Sequence, residues 1–360
     1  MRAATEVLAL RLRDPFRIAR SSPDRDATTV IGTLTDADGL TGIGEGYPDP
    51  YYGETPATVE AVVPVLVEAV DGLGAMPERP DLVRGWLVDA SAAMDERIAH
   101  NGAAKCLVDL ALHDLAGQRL GLALPELLGT PRELPPTDFS IGIDEPAVVA
   151  QRAARAAHFP ALKIKLGGPA DLETLEAVRD VYAGPIRVDA NTGWTPEVAD
   201  ALLPHCLRLG VELIEQPFKA RRLDQLRWLQ ERSPLPIVAD ESAVVEADLG
   251  GLVGVVQGIN IKLAKVGGVG PALRMIRHAR ELGFRIFLGC MEETGLGIAA
   301  SASVAGLADW VDLDGNLLLA TDPFTGLELG ADCRWQLPTI PGIGVRRVGV
   351  GLVVGDVTEA

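Results

Sequence analysis

Five ionisable residues recur through the middle of the chain at a nearly constant step: Lys165, Asp189, Glu215, Asp240 and Lys265, separated by 24, 26, 25 and 25 residues. Each closes a short apolar run, as in Leu162-Lys163-Ile164-Lys165, Arg187-Val188-Asp189, Leu213-Ile214-Glu215, Ile237-Val238-Ala239-Asp240 and Ile261-Lys262-Leu263-Ala264-Lys265. Three carboxylates converging in an apolar mouth repel and raise one another's pKa. A hard divalent cation relieves that repulsion, and oxygen ligands select Mg²⁺, Mn²⁺ or Ca²⁺. A lysine beside such a cation has a depressed pKa and serves as a base. Two amines facing each other across one carbon can remove a proton from one face and return one to the other.

That step is the length of one strand-plus-helix unit. From about Asp138 short apolar runs alternate with helical segments: Asp138–Ile143 then Pro146–His158, Leu162–Leu166 then Leu172–Tyr182, and so on to Ile286–Leu288. Such alternation indicates βαβ units and a parallel sheet. Closed into a ring it is a (β/α) barrel, whose active site lies at the C-terminal ends of the strands, where these five residues fall. An open doubly wound sheet would want a GxGxxG turn, and Gly254–Gly258 does not supply one. Strand alternation puts Lys163 and Lys165 on one face, opposite Leu162, Ile164 and Leu166. Alone, that strand reads as a solvated edge; inside a barrel no edge exists.

The first third reads as a small α+β domain. Strands are expected over Val7–Leu12, Thr28–Thr35 and Leu40–Gly44, the last two joined by the turn Asp36-Ala37-Asp38-Gly39. Polar loops follow at Arg17–Asp26 and Tyr47–Gly53. A helix opens at Thr55-Pro56, with Pro64 expected to kink or split it, and another spans Gly102–Leu120. The expected division is an α+β capping domain of residues 1–125 plus 331–360 and a barrel of residues 126–330.

The totals fit this picture. Net charge is -17 and the pI about 4.7, which argues against a nucleic-acid partner. The four cysteines form no CxxC pair or zinc spacing and read as free thiols of a reducing cytoplasm. Neither a signal peptide nor a membrane-spanning apolar run is apparent. The five histidines are scattered, disfavouring a zinc hydrolase or a histidine triad.

The motifs Lys163-Ile164-Lys165, Asp189-Ala190-Asn191, Glu215-Gln216-Pro217, Asp240-Glu241-Ser242 and Lys262-Leu263-Ala264-Lys265-Val266-Gly267-Gly268, with Gly44-Glu45-Gly46 near the start, together resemble the enolase superfamily. The resemblance is to its muconate-lactonising and dipeptide-epimerase branch. It implies a modified (β/α)8 barrel, one Mg²⁺ per subunit held by Asp189, Glu215 and Asp240, and Lys165 and Lys265 as the acid/base pair. Lys163 would assist near the substrate carboxylate, and Asn191 and Glu241 would stand behind the metal ligands. Ser140 and Met291 would touch substrate, and the two polar loops would close over it. A homo-oligomer is also implied.

Trp310-Val311-Asp312-Leu313-Asp314-Gly315-Asn316 separates the reactions of the branch. Asp312 and Asp314 are two apart and share a face. Two carboxylates beyond the metal triad want a cation, and a substrate ammonium is the simplest. This resembles the Asp-x-Asp motif with which dipeptide epimerases hold a free α-amino group, and it implies epimerisation of the C-terminal residue of a dipeptide by 1,1-proton transfer through an enediolate. N-acylamino acid racemases, o-succinylbenzoate synthases and muconate cycloisomerases remain alternatives. Similarity to Ala-Glu epimerases implies an arginine for a glutamate side chain, with Arg20 the nearest candidate; Asp49 and Glu54 would instead favour a basic one.

Overall fold

The structure is a computed structural model and describes residues 1–22 and 24–348. The chain opens with an antiparallel sheet of β1 (Arg2–Phe16), β2 (Asp24–Thr35) and β3 (Thr41–Gly46), in that order. β1 and β2 run further than the sequence indicates, because pairing continues out to Arg11 with Asp26 and Phe16 with Asp24, so the first loop shrinks. The turn before β3 is set by Asp36, whose carboxylate accepts from the backbone N–H groups of Asp38 (2.9 Å) and Leu40 (3.0 Å).

Three helices cover this sheet: α1 (Pro56–Asp71), α2 (Pro80–Arg97) and α3 (Gly102–Leu120). Thr55 caps α1, with Pro56 at its first position. Of the expected kink or split at Pro64, the split does not occur: α1 passes through the proline as one helix, and Val59, Val63, Leu66, Val67 and Val70 form a buried stripe on both sides of it. α2 was not read from the sequence, although Val83, Trp86, Leu87, Ala90 and Met94 keep helical spacing. α3 is the central element, buried from Ala103 to Gly117. It presses directly on β3: a Cβ at Gly44 would stand 2.0 Å from the Leu107 carbonyl oxygen. Its start presses on the barrel, where a Cβ at Gly102 would stand 2.4 Å from the Lys265 carbonyl oxygen.

The barrel is an eight-stranded parallel sheet: β4 (Phe139–Ile141), β5 (Leu162–Lys165), β6 (Ile186–Asp189), β7 (Val211–Glu215), β8 (Ile237–Ala239), β9 (Gly258–Ile261), β10 (Arg285–Leu288) and β11 (Trp310–Val311). A bridge between Thr137 and Val311 brings its first and last strands together. The enolase-like architecture expected from the sequence is therefore the one observed. Asp109 of α3 accepts from the backbone N–H of Val269 (2.7 Å), tying cap to barrel. The chain beyond β11 returns to the cap, where Ile343 N–H donates to Asp114 (2.8 Å). Residues 349–360 of the expected second cap segment lie outside the described residues. Among the described residues no helix is long and apolar enough to cross a membrane, and all four cysteines are free and buried.

Candidate active site

Register places the acids first. Lys165 pairs with Asp189 across β5 and β6, and Asp189 with Glu215 across β6 and β7, so the three stand at one height. Asp240 lies one residue beyond β8, two past the Glu215 partner Val238. All three carboxylates are buried, and each meets an amine. Lys165 Nζ donates to Asp189 Oδ2 at 2.7 Å. Lys163 Nζ, fully buried, lies 2.8 Å from Glu215, 3.5 Å from Asp189 and 2.7 Å from Asp312, and 5.0 Å from the centre of the Phe287 ring. These neighbours hold Lys163 well above the usual lysine range despite burial, which pulls the other way.

The fifth position differs from the sequence reading. β9 ends at Ile261, and Lys265 belongs to a helical turn, Leu263–Val266, beyond it. The Lys265 side chain is fully covered, and its ammonium donates to Asp240 Oδ1 (2.6 Å), the Asp240 carbonyl (2.8 Å) and the Asn260 carbonyl (2.8 Å). It stands behind Asp240, with its pKa lowered mainly by burial. Lys262 takes the place on the wall instead. Two residues after Asn260, it keeps the inward phase of the strand, lines the central cavity and lies 3.0 Å from Asp240 Oδ2. Asn260 also faces inward and donates to Glu215 Oε1 (2.6 Å). Period-two alternation marked both Asn260 and Lys262; counting equal steps passed over them.

Among the described residues, no three His, Cys, Asp or Glu side chains are gathered into a metal-holding cluster; the acids are turned toward the lysines. The donor set still fits an oxygen-seeking cation. Asn191 Oδ1, Glu215 Oε2, Glu241 Oε2 and Asn260 Oδ1 are buried acceptors without a hydrogen-bond donor, and Glu215 Oε2 meets the Lys163 ammonium only outside hydrogen-bond geometry. Oxygen-rich donor sets of this kind suit Mg²⁺ rather than a softer metal.

Asp312 and Asp314 are buried, not on a surface turn. β11 is only two residues long, and both acids follow it. Ser140 of β4 holds the pair: its N–H donates to Asp314 Oδ2 (2.5 Å) and its hydroxyl to Asp312 Oδ1 (3.0 Å). Lys163 keeps the Asp312 carboxyl below the usual range although burial opposes it, whereas burial and the Asp312 charge push Asp314 up to about 8. Asp314 meets no lysine or arginine within ion-pair distance among the described residues; Cys290 Sγ lies 4.0 Å from its Oδ1.

Both polar loops reach the site. Arg20 donates to Glu241, lies 3.6 Å from Asp49 and stacks 4.5 Å over Tyr51. Asn191 reaches Glu241 at 3.5 Å and Asp189 through its backbone N–H at 2.9 Å. Glu54 points away, accepting from Ala103 N–H at the start of α3 (3.0 Å). Phe16, Ile18, Arg20 and Asp49 from the cap, and Lys165, Lys262, Met291, Glu292, Asp312 and Asp314 from the barrel, enclose about 70 Å³. This is smaller than the roughly 300–1,000 Å³ of small-molecule sites.

Residues 2–129 match the family described as mandelate racemase / muconate lactonizing enzyme, N-terminal domain, and residues 147–347 the family described as enolase C-terminal domain-like. The chain is 38% identical over 342 residues to an L-Ala-D/L-Glu epimerase of Bacteroides thetaiotaomicron, covering 94% of this chain and 86% of that one. It is 36% identical over 351 residues to an L-Lys-D/L-Arg epimerase of Methylococcus capsulatus, covering 93% and 95%. A dipeptide epimerase of Enterococcus faecalis V583, solved with Mg and the dipeptide L-Leu-L-Tyr, superposes with a TM-score of 0.84 at 32% identity, covering 96% of this chain and 99% of that one.

Proposed function

The chain belongs to the mandelate racemase / muconate lactonizing enzyme branch of the enolase superfamily and is an isomerase of the epimerase and racemase kind; from that premise we propose that it is a Mg²⁺-dependent dipeptide epimerase. The observation that carries the choice of substrate is the buried pair Asp312 and Asp314, lining the same cavity as Lys165 and Lys262. A free α-ammonium matches that pair, and N-acyl amino acids, succinylbenzoates and lactones offer none.

Asp189, Glu215 and Asp240 would hold the cation, with Asn191, Glu241 and Asn260 behind them. Held there, Mg²⁺ would supply counter-charge to these carboxylates and to the negative charge developing on the substrate carboxylate. Lys165 on β5 and Lys262 after β9 face each other across an eight-strand ring, four strands apart. One takes the α-proton of the C-terminal residue, breaking C–H and forming N–H. The other delivers a proton to the opposite face, and the configuration inverts. Lys262 thus replaces Lys265 as the second base, because Lys265 is covered and spends all three N–H groups on Asp240 and Asn260. Lys265 positions Asp240.

A dipeptide library incubated with enzyme and Mg²⁺ in D₂O, read by mass spectrometry, tests the reading. Deuterium is expected at the α-carbon of the C-terminal residue only. Exchange with N-acyl amino acids but with no dipeptide would overturn it. Lys165→Ala and Lys262→Ala should each abolish epimerisation; near-normal turnover in either sinks the two-base scheme.

A further inference from the structure

A second cavity, about 530 Å³, lies outside the barrel wall, behind the strand that carries Ser140. Its body is apolar: Phe16 from the end of β1, Phe139 and Ile141 from β4, Phe159, Leu318 and Leu329. Phe139 and Phe159 are stacked, with ring centres 4.9 Å apart. Four basic residues, Arg13, Arg152, Arg155 and His158, line the cavity together with one acid, Asp14, in a chain whose net charge is -17. Asp14 is already paired with Arg155 (2.7 Å) and lies 3.8 Å from Arg152. Arg152 is only 9% exposed; it is bound to Asp144 at 2.8 Å, yet its Nη1 is buried with no acceptor. A buried guanidinium N–H without an acceptor is costly and rare. Among the described residues, Arg13 forms no carboxylate pair; its Nε donates to the Leu319 carbonyl.

Size, walls and charge agree on one ligand chemistry. The volume falls in the range of small-molecule sites, the stacked rings favour an aromatic body, and the arginines favour a carboxylate head. We infer that this lateral cavity binds a small aromatic monocarboxylate and that its occupancy is felt at Asp312 and Asp314. The route is short. Phe16, Ser140 and Leu318 line both cavities; Ser140 is bonded to both acids, and Phe16 leads into the segment carrying Arg20. The strand separates the two spaces: Phe139 and Ile141 face outward while the Ser140 hydroxyl faces the barrel interior.

The probe is 3-phenylpropanoate, titrated calorimetrically into the full-length protein with Mg²⁺, with 3-phenylpropanol as the uncharged control. One site is expected, at least tenfold tighter for the acid than for the alcohol, and retained at saturating dipeptide with its affinity shifted by the same factor as dipeptide binding. Arg152→Met should weaken binding at least tenfold. Arg155→Met, altering a side chain that is 59% exposed, should weaken it severalfold with the fold intact, and Leu329→Trp should block it. Saturating probe should change the dipeptide KM at least twofold in the parent and not in Leu329→Trp. No binding at millimolar probe, or binding that the alcohol matches or that Arg155→Met and Leu329→Trp leave unchanged, overturns the site. Binding that leaves KM unchanged overturns the coupling. The KM measurement rests on the epimerase reading and the calorimetry does not, so a failure of one is distinguishable from a failure of the other.

Discussion

Glu45 and Glu293 meet where the cap joins the barrel, and Glu293→Gln should remove a pH-dependent weakness in that joint. Both side chains are fully buried. Glu45 is well served: it accepts from Thr294 N–H (3.1 Å), Thr294 Oγ1 (2.6 Å) and Gly297 N–H (2.9 Å), at the N-terminus of the helix Gly295–Ala302. Glu293 is not. Its Oε2 accepts from Met291 N–H (3.1 Å), and its Oε1 has no partner. The two carboxyls are close, since a Cβ at Gly297 would lie 2.7 Å from Glu293 Oε1 and 3.0 Å from Glu45 Oε2. Burial first, and then the charge of Glu45, push Glu293 up to about 8 from an ordinary 4.5. A carboxyl whose pKa is higher in the folded state keeps a proton that the unfolded chain releases. Its cost to stability is therefore absent below about pH 4.5, grows as pH rises toward 8, and is constant above. At about 1.4 kcal/mol per pH unit of separation, the whole span is on the order of 3–5 kcal/mol. For a chain of this length that corresponds to roughly 5 °C in Tm. Calorimetric melting of the parent and Glu293→Gln between pH 5 and 9, at constant Mg²⁺, reads the effect directly. The variant should match the parent near pH 5 and exceed it by roughly 5 °C at pH 8.5. Parallel Tm–pH curves would refute the reasoning.

Asp314→Asn should raise KM for free dipeptides at least tenfold, roughly the worth of one charge-assisted hydrogen bond, with little effect on any residual turnover of N-acetyl dipeptides; an equal loss on both would deny an ammonium contact. Arg20→Met should weaken a dipeptide with C-terminal glutamate more than tenfold while leaving one with C-terminal leucine within about threefold, measured as kcat/KM; matched losses would make Arg20 a loop latch only. Lys163→Met strips the shared amine from Glu215, Asp189 and Asp312, so in EDTA it should cost roughly 3–5 kcal/mol by denaturant melting. Mg²⁺ should restore more of that loss than it adds to the parent; a variant insensitive to Mg²⁺ would place the cation elsewhere.

What the sequence made legible is what the fold repeats. A barrel reuses one unit, so equal spacing led to Lys165, Asp189 and Glu215, which share a register across three strands. The same counting went astray at the fifth unit because spacing measures chain length, not position on a strand. β9 stops at Ile261, the chain turns helical, and 25 residues from Asp240 falls on a covered lysine. The finer signal was local: Asn260 and Lys262, two apart, both carry the inward phase. Pairings that close the molecule had no repeat to betray them. Arg20 with Glu241 joins residues 221 apart, Lys163 with Asp312 joins residues 149 apart, and Glu45 with Thr294 joins residues 249 apart. The two lysines of Lys262-Leu263-Ala264-Lys265 show what decides a role when residue type does not. Lys262 presents its amine to the cavity, while Lys265 presents its own to the back of Asp240. Removing the first should therefore end turnover with the fold intact, and removing the second should loosen Asp240. In Lys265→Met the Mg²⁺ concentration for half-maximal activity should rise at least tenfold while saturating Mg²⁺ recovers most of kcat. A Lys265→Met enzyme dead at saturating Mg²⁺, beside a Lys262→Met enzyme that turns over, would return the base to Lys265.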